Sequence, residues 1–180
     1  ENAVRNDLNV RAPRTMAVLD PLKVVLTNFP AGETEWLEAP LHPQNESMGS
    51  RQVPLTREIW IEQGDFMEQP PRKFFRLKPG GEVRLRNAFI IRCVEVIKNA
   101  SGKVTELHCE FDPETRSGMP GAERKVKGTI HWVSAEHGKP VEIRLCDRLF
   151  TVPNPLGDKR RDYREFLNPH SLDVIHGAIV

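Results

Sequence analysis

Apolar residues recurring at every second position, in short runs broken by proline or glycine, limit what this chain can fold into. In Arg57–Glu62, Ile59 and Ile61 share one face while Glu58, Trp60 and Glu62 share the other. Leu107, Cys109 and Phe111 alternate with Glu106, His108 and Glu110 in the same way, and Val141, Ile143 and Leu145 alternate with Glu142, Arg144 and Cys146. A period of two is the signature of a strand with one face buried. Further strands are predicted at Leu22–Phe29, Phe74–Leu77, Glu82–Arg86, Phe89–Ile97 and Gly128–Val133. Fifteen prolines and twelve glycines in 180 residues keep the elements short. Lys78–Gly81, Asn99–Gly102 and Arg116–Gly121 read as turns, the second of them between two alternating runs, where a hairpin is expected.

Helical signal is confined to the ends. Residues 1–13 read as the end of a helix with Val4, Leu8 and Val10 as apolar members and Pro13 as its stop. Lys159–Leu167 is the other helical stretch. Many short strands at close spacing point to an all-β chain built of two small antiparallel barrels in tandem.

Composition narrows the function. No run of about 18 apolar residues occurs, which argues against a helical membrane span. The start, Glu1–Asp7, lacks the basic-then-apolar layout of a signal peptide and has no initiating methionine, which fits a start in mid-protein. Cys93, Cys109 and Cys146 are odd in number and far apart, as expected of buried, reduced thiols in a cytoplasmic protein. The six histidines show no metal-ligand spacing. Neither a glycine-rich phosphate loop nor a nucleophile elbow is present. His108 and His131 lie opposite apolar neighbours and read as surface or rim residues. The chain is therefore expected to hold no catalytic residue, cofactor or metal of its own.

The net charge is only +1, but it is unevenly spread. Arg72, Lys73, Arg76, Lys78, Arg84, Arg86 and Arg92 face a single acid, Glu82, within one segment. Such a stripe can meet phosphates on a nearly neutral molecule, although a charged run is by default a solvated face.

Seven motifs are more specific. They are Ala12–Val18, Met48–Pro54, Glu58–Ile61, Gly81–Ala88, Lys125–Ser134, Pro140–Leu145 and Phe150–Pro155. In this order and spacing they resemble the C-terminal anticodon-binding region of glutaminyl-tRNA synthetases of the bacterial type. Glutamyl-tRNA synthetases of archaea and eukaryotes share this region, and a free-standing ribosomal-RNA-binding barrel or a protein-interaction barrel are the alternatives.

The resemblance implies residues 1–13 as the end of a helical connection to a catalytic domain. It implies an inner barrel from 14–67 and 135–180, left incomplete at Val180, and an outer barrel from 68–134. It also implies tRNA of the glutamine isoacceptors as partner, in a monomer that binds neither DNA nor membrane. ATP, with magnesium, would be used by the catalytic domain of the same chain.

By position, Arg14 resembles the arginine that reads the middle anticodon base. Arg84 and Arg86 resemble the pair for the first base, and Arg76 resembles the arginine for the third. Lys73, Lys125 and Lys127 are expected as supporting RNA contacts. Lys73 and Phe75 depart from the glutamine and lysine that often accompany the third-base arginine. The chemistry suits the role, because guanidinium offers a rigid fork of donors that stays charged. Arg84 and Arg86, two apart in a strand, are expected to converge on one face. Apart from the resemblance, a surface charge or an internal ion pair is the default for Arg14 and Arg76.

Overall fold

The computed structural model describes residues 2–180. Helix α1 (Asn2–Arg11) ends two residues before Pro13, whose ring disfavours helical backbone in the residue before it. None of its side chains is buried, so Val4, Leu8 and Val10 face solvent. Beyond it come β1 (Pro21–Leu26), β2 (Glu35–Pro40), β3 (Ser50–Leu55), β4 (Glu58–Glu62), β5 (Glu82–Leu85) and β6 (Ile90–Lys98). These are followed by β7 (Val104–Asp112), β8 (Thr129–Ile130), β9 (Val133–Ser134), β10 (Pro140–Cys146) and β11 (Leu172–Ile179). No helix among the described residues is long and apolar enough to cross a membrane.

Seven strands form one sheet in the order β8-β5-β6-β7-β1-β4-β9. Most neighbours are antiparallel, but β1–β7 and β5–β8 run parallel. The two edge strands, β8 and β9, are separated only by His131 and Trp132. One bent segment thus supplies both edges, and the sheet curls around its own apolar face into a half-barrel, its edges joined by this segment and not by a strand ladder. Inside lie Leu22, Val24, Leu26, Ile59, Ile61, Val83, Leu85, Leu107 and Trp132. The alternation predicted for these runs is the alternation of core and surface seen here.

The expected division at 67/68 is not where the sheet divides. β1 and β4, assigned to the inner unit, share a sheet and a core with β5–β8. Their apolar faces are needed to fill the space that Val83, Ile91 and Leu107 leave open. β2–β3 and β10–β11 form two separate hairpins. The second is tied back by a bridge between Val18 and Ile179 and by paired bonds between Lys139 and Val180. Its own faces stay largely open, with Leu145, Leu172 and Val174 exposed.

Smaller differences have local causes. Phe74–Leu77 has no ladder partner beyond a single bridge from Leu77 to Phe66. Gly128–Val133 is broken at His131 and Trp132, where the barrel closes. Lys159–Leu167 yields only one 3₁₀ turn, Tyr163–Phe166, capped by Asp162 and Glu165. The Asn99–Gly102 hairpin forms as expected, with Asn99 Oδ1 accepting from the amides of Ser101 and Lys103. Cys93 and Cys109 are buried, but Cys146 is exposed because β10 lacks a covering layer.

The outer surface of β6–β7–β1 carries a charge network. His108 Nδ1 lies 2.8 Å from Glu95 and Nε2 lies 2.9 Å from Glu106, which also meets Lys23 at 3.4 Å. The bond to Glu106, with further help from Glu95, raises the His108 pKa above its ordinary 6.5. A raised pKa in the folded state means stability present below about 6.5 and lost as pH climbs through the folded value. The melting-temperature gap between the parent chain and His108→Gln should therefore be widest near pH 6 and shrink towards pH 9. The effect is modest and salt-sensitive, since the groups are partly exposed. Thermal denaturation across that range checks it, and a gap constant with pH would exclude His108 as its source.

Candidate nucleic-acid interface

Arg14 is held in place from three directions. Its amide donates to Leu41 O at 2.7 Å, its carbonyl accepts from the Arg51 guanidinium, and its own Nη2 reaches Asn9 Oδ1 at 3.2 Å. The buried His42 fixes the same corner. The Gln44 amide donates to its Nδ1, so Nε2 carries the proton and donates to Asn9 O at 2.8 Å.

Arg86 is delivered from another part of the chain. β5 ends at Leu85, and a tight turn closes through Leu85 N–H to Phe89 O at 2.8 Å. Asn87 sits in this turn at φ 59°, a left-handed conformation that asparagine adopts more readily than most residues. The Arg86 amide donates to Ile130 O, and its carbonyl accepts from the buried Trp132 indole at 3.0 Å. The backbone of Arg86 is thus pinned to the segment that closes the barrel. Among the described residues its guanidinium has no internal partner.

Arg14 and Arg86 come together across one open cleft of about 620 Å³. Thr15, Met16, Ala17, Pro40, Pro43, Arg51, Asn87 and His131 complete its lining. Three guanidinium groups and one imidazole therefore face a wall that, among the described residues, contains no carboxylate. Glu62 stands behind His131 at 3.6 Å and is itself engaged by the amides of Leu19 and Asp20. Arg51, Asn87 and His131 line this cleft without having been singled out as site residues, although each lies within one of the seven motifs.

Arg84 is not in this cleft. It is half-buried, and its two terminal nitrogens donate to Thr115 O, Ala122 O and Arg124 O at 2.8, 2.9 and 3.1 Å. It clamps the 113–124 loop, whose turns approach so closely that a Cβ on Gly121 would lie 1.8 Å from Glu114 O. The expected convergence of Arg84 and Arg86 on one patch is absent. The strand stops between them, and the loop folds over the first.

Arg76 is likewise engaged. Its Nε lies 3.0 Å from Asp65, a carboxylate only 8% exposed, and Nη1 contacts Gly64 O at 3.3 Å. Burial raises the Asp65 pKa and Arg76 opposes the shift. The rest of the Arg76 side chain, 57% exposed, remains open to solvent.

Lys73, Lys125 and Lys127 lie on the exposed surface beside the half-exposed Phe75, with Lys127 Nζ 5.5 Å from the ring centre. Gly128 permits this approach, since a Cβ there would stand 1.9 Å from Phe75 O. The sequence-predicted basic residues thus fall in two places: a cleft with Arg14 and Arg86, and a lysine-rich shoulder along 73–76 and 125–127.

Such a surface suits RNA rather than catalysis. Fixed guanidinium forks can hold phosphates and base edges together, and an asparagine amide supplies both a donor and an acceptor. The comparisons agree on the class. Residues 12–112 match the family model for the anticodon-binding domain of class I tRNA synthetases (E and Q), and residues 129–180 match a second model of that description. The chain belongs to this family.

Relatives in curated collections are similar along the whole chain. The glutamine–tRNA ligase of Xanthomonas euvesicatoria pv. vesicatoria (strain 85-10) is 56% identical over 180 residues, covering 99% of this chain. That of Xylella fastidiosa (strain M12) is 54% identical over 182 residues, and that of Nitrosomonas europaea 51% over 180, with the same coverage of this chain. The chain spans 31–32% of the length of these relatives.

Proposed function

We propose that this chain reads the anticodon of glutamine tRNA for a ligase that joins glutamine to that tRNA. The observation that carries the reading is the cleft in which Arg14, Arg51 and Arg86 converge with no carboxylate in the lining among the described residues. It lies within the matched family segments, and the named relatives are glutamine–tRNA ligases. Activation of glutamine with ATP and magnesium belongs to the catalytic part of such a ligase, and the work is done in the cytoplasm by a monomer.

In this reading Arg14 and Arg86 are the primary base-reading residues, Arg51 and Asn87 complete their cleft, and Arg76 serves with the outer part of its guanidinium. Lys73, Lys125 and Lys127 hold backbone phosphates. Arg84 acts indirectly, by fixing the loop behind the Arg86 turn. The hairpins β2–β3 and β10–β11 belong to the inner unit and the strands β5–β8 to the outer one, joined through the shared barrel sheet.

Glutamine and glutamate anticodons share the middle uracil and differ at the third base. Equilibrium binding should therefore favour a glutamine tRNA over the same tRNA with its third anticodon base changed. One lost base contact corresponds to about 5- to 150-fold, by analogy with base readout in DNA. Affinity should also fall steeply with salt, as phosphate neutralisation demands. Equal affinity for both tRNAs would defeat the specificity assignment, and salt-independent binding would defeat the RNA reading itself.

A further inference from the structure

Cys93 on β6 and Cys109 on β7 are direct cross-strand partners, and both side chains point into the barrel core. The backbone shows which kind of pair they form. Cys93 donates its amide to Gly81 O at 3.1 Å, and its carbonyl accepts from Gly80 at 2.9 Å. Both polar groups therefore point away from β7. Cys109 likewise spends its carbonyl on Thr27 of the loop after β1, at 2.8 Å. The two cysteines thus occupy a non-hydrogen-bonded site of the ladder. There the Cα atoms of opposed residues stand about 4.5 Å apart and side chains approach most closely. Bridged cysteines span about 4.4–6.8 Å between Cα atoms, so no strand has to move far to join them.

We propose that Cys93 and Cys109 form a redox-active dithiol, which a hydroperoxide converts to a disulfide across β6 and β7. The Cys93 thiolate attacks the peroxide oxygen, which breaks the O–O bond, forms a sulfenic acid and releases water after protonation. The Cys109 sulfur then attacks the Cys93 sulfur, displacing the hydroxyl as a second water. Two thiols are oxidised by two electrons, and one hydrogen peroxide is reduced to two waters. Cys93 is the first nucleophile because it stands at the register shift of β6, where its Sγ reaches Glu95 O at 3.7 Å, and the neighbouring Cys109 lowers its pKa while that of Cys109 itself is raised.

Both residues are almost fully buried, so access needs a weak point. A bulge supplies it: the register shifts between Cys93 and Glu95, leaving Val94 unpaired and half-exposed beside the reactive sulfur. The disulfide would staple the barrel where Gly80 and Gly81 hang from β6. These glycines lead directly into β5 and the turn that bears Arg86. Oxidation thereby acts on the frame of the cleft without touching its lining.

The test is thiol counting on the 180-residue chain after brief treatment with hydrogen peroxide. Denaturation and alkylation should then label one cysteine instead of three, and peptide mapping should find the segments around Cys93 and Cys109 joined. Reductant should restore all three thiols. Cys146→Ser should leave the link intact, while Cys109→Ser should trap a sulfenic acid on Cys93 that a cyclic 1,3-diketone captures. Three alkylated thiols after peroxide would overturn the proposal, as would links that run only through the exposed Cys146. The readings on the parent chain and on Cys146→Ser hold even if substitutions in the core pair prevent folding.

Discussion

Replacing Arg86 by alanine is expected to weaken binding of glutamine tRNA about 5- to 150-fold while leaving the melting temperature almost unchanged. Among the described residues the side chain has no internal partner, and its backbone bonds to Ile130 and Trp132 survive the substitution. Arg84→Ala is expected to behave in the opposite sense. It removes three charge-assisted bonds to the carbonyls of Thr115, Ala122 and Arg124. Bonds to charged groups contribute about 1.5–3 kcal/mol apiece and are not additive, so a total loss of about 2–4 kcal/mol follows. The side chain is only partly shielded, which places the value below their simple sum. Urea denaturation beside tRNA titration separates the two variants. Should Arg86→Ala unfold more readily than Arg84→Ala, the division of roles between reader and clamp is wrong.

Trp132→Ala carries the larger structural cost. Trp132 is fully buried at the point where β8 and β9 meet, and it donates to the carbonyl of Arg86. Truncating a buried tryptophan costs about 3–5 kcal/mol through lost contacts and the cavity left behind. For a chain of this size the melting temperature should drop by on the order of 10 °C. Trp132→Phe should fall between, since it refills most of the space but leaves the Arg86 carbonyl without its donor. Calorimetry on the two variants tests this, and a loss below about 1 kcal/mol for alanine would mean that the closure does not depend on the indole.

The sequence made the barrel's core visible and its connections invisible. Leu22, Ile59, Ile61, Leu107 and Cys109 announce themselves by alternation, because each strand has one wet and one dry face. Alternation does not say which strand lies beside which, so the parallel junction of β1 with β7 could not be read from it. β2, β3 and β11 were missed for a related reason. A proline interrupts β3 and another ends β2, and β11 is open to solvent along most of its length, so no apolar period marks it.

The arginines show the same limit at the level of the site. Arg84 and Arg86 look equivalent as two charges in one motif. Only the turn at Asn87 and the loop that folds over Arg84 distinguish them, and both are tertiary events. Arg14 stands in the first of the motifs, whereas Arg51, which lines the same cleft, lies in a run that reads equally well as a turn. His131 read as a rim histidine, and the structure places it in the lining of the cleft beside Arg14 and Arg86.

The single bent segment that supplies both sheet edges also orders events in time. β1 reaches β7 only after about 80 residues of intervening chain, since Lys23 pairs with Glu106. The β6–β7 hairpin, by contrast, forms from near neighbours in sequence. Contacts distant in sequence are slow to form, so the hairpin leads and closure through residues 129–134 follows. On a ribosome, the edges of β4 and β5 would stand exposed until that segment emerged. A chain cut before residue 129 would expose them permanently, and the segment that steadies Arg86 also protects the nascent barrel from aggregation.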